Sequence, residues 1–488
     1  MAVASAKSWT VGLINSANKF LTAEKFQFKV NANGTSLRKK QYWILEDAGS
    51  DMVAIKSSFG RYLGSDKDGK ITADAEEVGD DNRFILETRD DGKVAIKSSK
   101  HGRYFGGTGD NLSGFDKEVS ATSLWTIQLA IMPQLNLFNV NRKAYAHLDV
   151  TNNEIRVNEV IPWGFDSTIS IDFHEGKYSI RAANGSYLEC SGALVEKLND
   201  NCLYTIVYRG TQVAFRDNAG KYLAGVGANA VLQSRKSSIS KDELFTFEDT
   251  NPQITLIAFN KKYVSQRQGV EVRANQTDVT DDETFQIMAV DRSDLSGNVK
   301  WAVCNKKLKF WNSESNLVAK SNDFSSPDCQ FSIVWQGPMV LFQANNGKYL
   351  KVTSNGQLSA TGGVDDAECK FVLEIINHPI LTLRSEFGFV GSKGASGILE
   401  CNRSQYDVFR LKGNAGTYRF ETSSGNQWKV EGDNILANAP GGSDFFIEFR
   451  AHTRMCIVAP NGKCIQSAQN GDFKPVADDV TPATLWEF

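Results

Sequence analysis

One motif returns about every forty residues along this chain, and that period constrains the fold more than any other feature. A small or basic residue precedes an aromatic or apolar anchor, and a turn and a second strand-like run follow. The motif reads NKFLTAE from Asn18, GRYLGSDKDGKITA from Gly60 and GKYLAGVGANAVLQ from Gly220. It continues as GKYLKVTSNGQLSA from Gly347 and NGKCIQSAQNGDFKPV from Asn461. The anchors are Phe20, Tyr62, Tyr104, Tyr145, Tyr187, Tyr222, Tyr263, Phe310, Tyr349, Phe389, Trp428 and Cys464.

A second pattern closes each unit: an aromatic followed by alternating apolar positions, as in YWILED from Tyr42, RFILET from Arg83, LFTFED from Leu244 and the final LWEF. Alternation with period two, bounded by Gly, Asn and Asp, is the signature of strands joined by hairpins. No window carries a helical apolar stripe. Each unit therefore predicts about four short strands. Twelve units exceed the four to eight blades usual in a propeller. Groups of three can instead close into a barrel with a hairpin cap, which removes exposed sheet edges. The expected fold class is all-β: four tandem β-trefoil domains of three repeats each. The segments MPQLNLF, NPQITLI and HPILTL look like one joint used three times. They place the expected domains at 1–132, 133–251, 252–378 and 379–488. Such short joints predict fixed relative positions rather than flexible tethers.

Charge and composition narrow the function. With 54 Lys and Arg against 57 Asp and Glu, the chain is not a globally basic nucleic-acid binder. Any use of positive charge must be local. No apolar run suits a signal peptide or a membrane span, so the expectation is a cytosolic protein without membrane insertion. The eight cysteines form no CxxC, and reduced, buried thiols are expected. The Asn-x-Ser/Thr triplets are read as chance matches in turns. The five histidines, at 101, 147, 174, 378 and 452, lack ligand spacing with one another or with cysteine. His147 reads as a packed strand residue. GSDKDGKI from Gly64 approaches a phosphate-binding loop, but Ile71 replaces the needed hydroxyl and a hairpin replaces the helix. The chain is expected to be no enzyme, with no cofactor and no metal.

The clearest local charge is Ser36-Leu37-Arg38-Lys39-Lys40, with Lys19 and Lys25 in the preceding hairpin. It is either a solvated strand end or a docking surface for an acidic partner. Arg142 with Lys143, and Lys348 with Lys351, form two further basic clusters. A multivalent carbohydrate binder is the alternative, since trefoils also serve as lectins. The Gln-x-Trp signature of ricin-like trefoils occurs once, at Gln41-Tyr42-Trp43.

Several segments carry a family likeness. They are GLINSANKFLTAEKFQFKVNANGTSLRKKQYW from Gly12, RYFGGTGDNLS from Arg103, RKAYAHL from Arg142, PWGFDS from Pro162, KDELF from Lys241 and NRSQYDVF from Asn402. In order and over the whole chain, these resemble the fascins. The resemblance implies crosslinking of filamentous actin into tight parallel bundles by a monomer of the cytoplasm and cytoskeleton, in actin-rich projections such as filopodia. It implies a first actin-binding face from Lys19, Arg38, Lys39 and Lys40 with Glu386 and Lys393 of the last trefoil. Ser36 matches a serine whose phosphorylation by a regulatory kinase weakens binding. Arg142 and Lys143 match a basic family motif and would serve a second face, with Lys348 and Lys351 as a further cluster. Val458 and Gln466 stand where the family has lysines, and Gly102 where it can have arginine. Lys463, Lys474 or Lys100 would then carry that contribution.

Overall fold

The computed structural model describes residues 8–210, 212–267 and 269–488. Residues 1–7 of the expected first domain lie outside them. The described residues form 49 short strands and twelve 3-10 turns, with no α-helix among them.

Strands gather by threes of the sequence repeat. The first twelve, from Ser8–Ile14 to Leu124–Leu129, form one sheet, as do the next twelve and the twelve after those. The last group splits into sheets of five and eight strands. The first three groups close on themselves through their first and last strands, and the fourth through its second and last. Val11 pairs with Leu129, Leu137 with Phe247, Leu256 with Leu373 and Arg384 with Glu487. These are four closed β-trefoils of three repeats each.

The repeat is legible in three dimensions at two positions. The closing-strand residues Trp43, Phe84, Trp125, Ile169, Tyr204, Phe245, Phe285, Phe331, Phe371, Phe409, Phe445 and Trp486 are all at 0% exposure. Burying each contributes about 1.5–3 kcal/mol, which explains why the position tolerates only large apolar side chains. Where that residue carries a polar atom, the hairpin satisfies it. Trp43, Trp125 and Trp486 donate Nε1–H to the carbonyls of Leu21, Phe105 and Ile465, and the Tyr204 hydroxyl donates to Leu188. Each acceptor directly follows an anchor.

At the anchors themselves the hairpin register shifts by one residue: after Tyr62, Tyr104, Tyr222 and Tyr349, for example. Such bulges tighten the local twist and let a short strand curl over the barrel end. The eleventh anchor is corrected here. Gln427, not Trp428, holds the bulge register, opposite Ala439. Trp428 takes the next, inward position and stacks on Phe420 at 4.1 Å.

The joints also repeat. The carbonyls of Pro133, Pro252 and Pro379 accept hydrogen bonds from the amides of Ile171, Ile287 and Leu411, each at 2.8–3.0 Å. The chain divides into two compact units: residues up to Pro162 with Asp166–Glu248, and Asp249–Phe488 with Trp163–Phe165. Within the first, one apolar core runs from Trp9 to Phe247, and the rings of those two residues meet edge-on at 4.9 Å. Within the second, one core runs from Ile254 to Phe488. Inside each unit the two trefoils are therefore fused through shared apolar contacts, not merely tethered.

Candidate functional site

The basic stretch of trefoil 1 owes its position to packing around a glycine. Gly12 lies on the first strand, and a Cβ there would sit 2.5 Å from Leu37 Cδ1 and 3.0 Å from the Phe20 ring. Leu37 occupies the space a side chain at position 12 would need. That seats the segment carrying Ser36 and Arg38 against the barrel. Arg38 then caps the turn Lys39–Gln41, its carbonyl accepting the Gln41 amide at 2.7 Å. Gln41 turns inward and donates to the Thr22 hydroxyl at 3.0 Å, leaving Arg38, Lys39 and Lys40 exposed. Lys19 is half-buried one residue before the anchor Phe20, and Ser36 is half-buried.

This surface is cationic in a chain of net charge −3. Six cations and one carboxylate fall between residues 15 and 42. Lys40 pairs with that carboxylate, Glu24, at 2.6 Å. Among the described residues, Lys19, Lys25, Lys29, Arg38 and Lys39 have no ion-pair partner. Unpaired exposed cations project a field that an acidic partner can neutralise without first breaking a salt bridge. Lys29 joins this group although its sequence position singled out nothing.

The remaining candidates are placed differently. Glu386 lies in the turn that leads into the strand Gly388–Ser392, and Lys393 follows the other end of that strand. Lys393 pairs with Glu400 at 2.8 Å. The substitutes also hold partners: Lys100 pairs with Asp81 and Lys474 with Asp472, both at 3.1 Å, and Lys463 pairs with Asp478. Gly102 has φ +65, a left-handed conformation in which arginine would be strained.

In trefoil 2, Arg142 is spent on structure. Its guanidinium donates to the carbonyl of Gly225 at 2.8 and 3.2 Å and to that of Gly227 at 3.2 Å. Lys143 beside it is exposed. In trefoil 3, Lys348 is exposed, whereas Lys351 pairs with Asp366 at 3.0 Å and Glu368 at 3.8 Å. The hydrogen bond to Asp366 raises the Lys351 pKa and lowers that of the carboxylate. His147 is a hydrogen-bonded strand residue, 2.7 Å from Asn158 Oδ1. Trp43 of the single Gln-x-Trp is fully buried with its indole nitrogen satisfied, so it offers no ring to a sugar.

The fold and these surfaces define a protein of four β-trefoils with a cationic face on its first trefoil whose charges, among the described residues, are mostly unpaired. The fascin domain matches four times, at residues 17–127, 135–247, 259–371 and 386–488. The chain is 37% identical to human Fascin-2 over 490 residues, covering 98% of this chain and 97% of that protein. It is 36% identical to Fascin-2 of Bos taurus with the same coverage. It is 34% identical to the fascin of Strongylocentrotus purpuratus, covering 98% of each. The chain belongs to the fascin family.

Proposed function

We propose that this chain binds filamentous actin and crosslinks the filaments into tight parallel bundles, acting as a monomer in the cytoplasm and cytoskeleton, filopodia included. The observation that carries the reading is the set of unpaired cations at Lys19, Lys25, Lys29, Arg38 and Lys39, on a chain that matches the fascin domain four times. Actin filaments are acidic, so such a surface attracts them even from a protein of net negative charge.

Bundling needs a second face, and multivalency makes weak faces sufficient, because many crosslinks share each filament pair. The first face comprises Lys19, Arg38, Lys39 and Lys40, with Glu386 and Lys393 as a contribution from trefoil 4. For the second face, exposed Lys143 and Lys348 are better placed than Arg142 and Lys351, whose charged groups already hold structural partners. Phosphorylation of Ser36 by a protein kinase would add about −1.5 to −2 charges beside Arg38 and weaken binding.

Co-sedimentation of pure protein with filaments at low and high speed tests the proposal. Bundles pellet at low speed, and added salt should reduce that pellet. Pelleting at high speed alone would show one face only. No pelleting at either speed would overturn actin binding.

A further inference from the structure

The hairpin that carries Lys25 and Lys29 ends in a feature that ordinary solvation does not explain. Phe26, between them, is 74% exposed, more than any other phenylalanine among the described residues. The segment KFQFK alternates like a strand, yet Phe26–Phe28 forms a 3-10 turn instead. Two consecutive non-glycine residues, Gln27 and Phe28, sit in the left-handed region at φ 55 and 48. That conformation is disfavoured for side-chain-bearing residues and persists only where the surroundings impose it.

The surroundings here are specific. The Arg61 guanidinium lies over the Phe28 ring at 4.9 Å and pairs with Glu76. The Glu24 amide donates to the Lys29 carbonyl at 2.8 Å, closing the base of the turn. One ring of the pair is thus clamped, while the other is held out in water.

The same turn is tied to the basic stretch. Glu24 closes its base and also forms the 2.6 Å ion pair with Lys40. Glu24 thus brings Lys40 of the Arg38–Lys40 stretch to the base of the turn that carries Lys25, Phe26 and Lys29. A protruding aromatic flanked by unpaired cations is the anatomy of an interface centre: an apolar anchor that loses its water on docking, beside charges that steer the encounter.

We propose that Phe26 is the apolar anchor of the actin face, inserting into a hollow on the filament that is itself bordered by carboxylates. This rests on the actin-binding reading above. Charge complementarity selects the occupant, since residues 15–42 carry six cations and one carboxylate, Glu24, which is already paired with Lys40, and Glu76 beside the turn is paired with Arg61.

High-speed pelleting with Phe26→Ala, Phe26→Tyr and Lys39→Ala across a salt series tests the proposal, with thermal melting as the fold control. Phe26→Ala should melt like wild type and bind filaments about 10-fold more weakly. That factor should stay constant as salt rises, whereas the loss from Lys39→Ala should shrink as screening removes the attraction. Phe26→Tyr, which keeps the ring, should retain most of the affinity. Wild-type affinity in Phe26→Ala, or a loss that vanishes at high salt, would overturn the anchor while leaving actin binding intact. Failure of wild type itself to pellet would overturn the actin reading and the anchor with it.

Discussion

The hydroxyl of Tyr178 donates to the carbonyl of Ile127 at 2.8 Å, fastening trefoil 2 to the closing strand of trefoil 1. The same oxygen accepts the Leu129 amide at 3.1 Å. Tyr418 repeats the arrangement in the second unit, donating to Leu373 at 2.9 Å. Both tyrosines pair in the same way with a closing-strand aromatic, Tyr204 or Phe445. Tyr178→Phe strands a buried amide and carbonyl, so it should cost about 1–3 kcal/mol. Tyr418→Phe should cost a similar amount. Chemical denaturation of each variant measures this, and a neutral result for both would mean the apolar contacts alone hold the seams.

Gly12 links the core to the site. A methyl there meets Leu37 at 2.5 Å, which forces that side chain aside. Gly12→Ala should destabilise by about 1–3 kcal/mol through overpacking. It should also weaken bundling at temperatures where the protein remains folded, because Leu37 seats Ser36 and Arg38. Paired melting and low-speed pelleting check both halves, and undiminished bundling would show that the stretch keeps its place without Leu37.

Negative charge at Ser36 should act through the field of its neighbours. Ser36→Asp should reduce bundling most at low salt, and Ser36→Ala should behave as wild type. Equal low-speed pellets from Ser36→Asp and wild type would remove Ser36 from the regulatory role.

Arg142 and Lys143 are adjacent in sequence but do different work. Arg142→Ala loses its hydrogen bonds to Gly225 and Gly227 and should cost about 1–3 kcal/mol in stability. Lys143→Ala should leave stability within about 0.5 kcal/mol, as exposed substitutions usually do. If Lys143 serves a second face, its removal leaves high-speed pelleting nearly intact and diminishes the low-speed pellet.

Acid should weaken the second unit through His378. The ring is 2% exposed, packs edge-on to Phe488 at 5.2 Å, and meets the Thr250 hydroxyl at 3.2 Å. Burial lowers its pKa to about 4. The unfolded chain takes up this proton near pH 6.5, while the folded chain resists it until about pH 4. Stability from this group is therefore full above pH 6.5 and is lost between there and pH 4, by about 3 kcal/mol. Denaturation curves from pH 7 to 4.5 should show that slope, and His378→Gln should flatten it.

Much of this was legible in the sequence because repetition removes ambiguity. A single run such as RFILET could be a strand in many folds. Eleven aromatics and one isoleucine recurring at the closing strands leave few ways to bury them all, and every one is buried. The one misplaced anchor shows the limit. Gln427 and Trp428 are neighbours, the aromatic looked like the anchor, and only the ladder register reveals that the ring points inward. The turn at KFQFK was not legible in the local pattern, because the clamp on Phe28 comes from Arg61 of the next repeat.

The sequence by itself determined the fold class, the four-by-three grouping and the basic stretch at Arg38–Lys40, since each depends on residue type and spacing within one repeat. The tertiary structure decided which cations are available. Lys351, Lys393, Lys463 and Arg142 look as basic as Lys39 in sequence, yet carboxylates or carbonyls from other segments engage them. A charge becomes a site only where the folded neighbours leave it unpaired, and those neighbours sit across the same hairpin or, for Arg142, in another repeat 83 residues on.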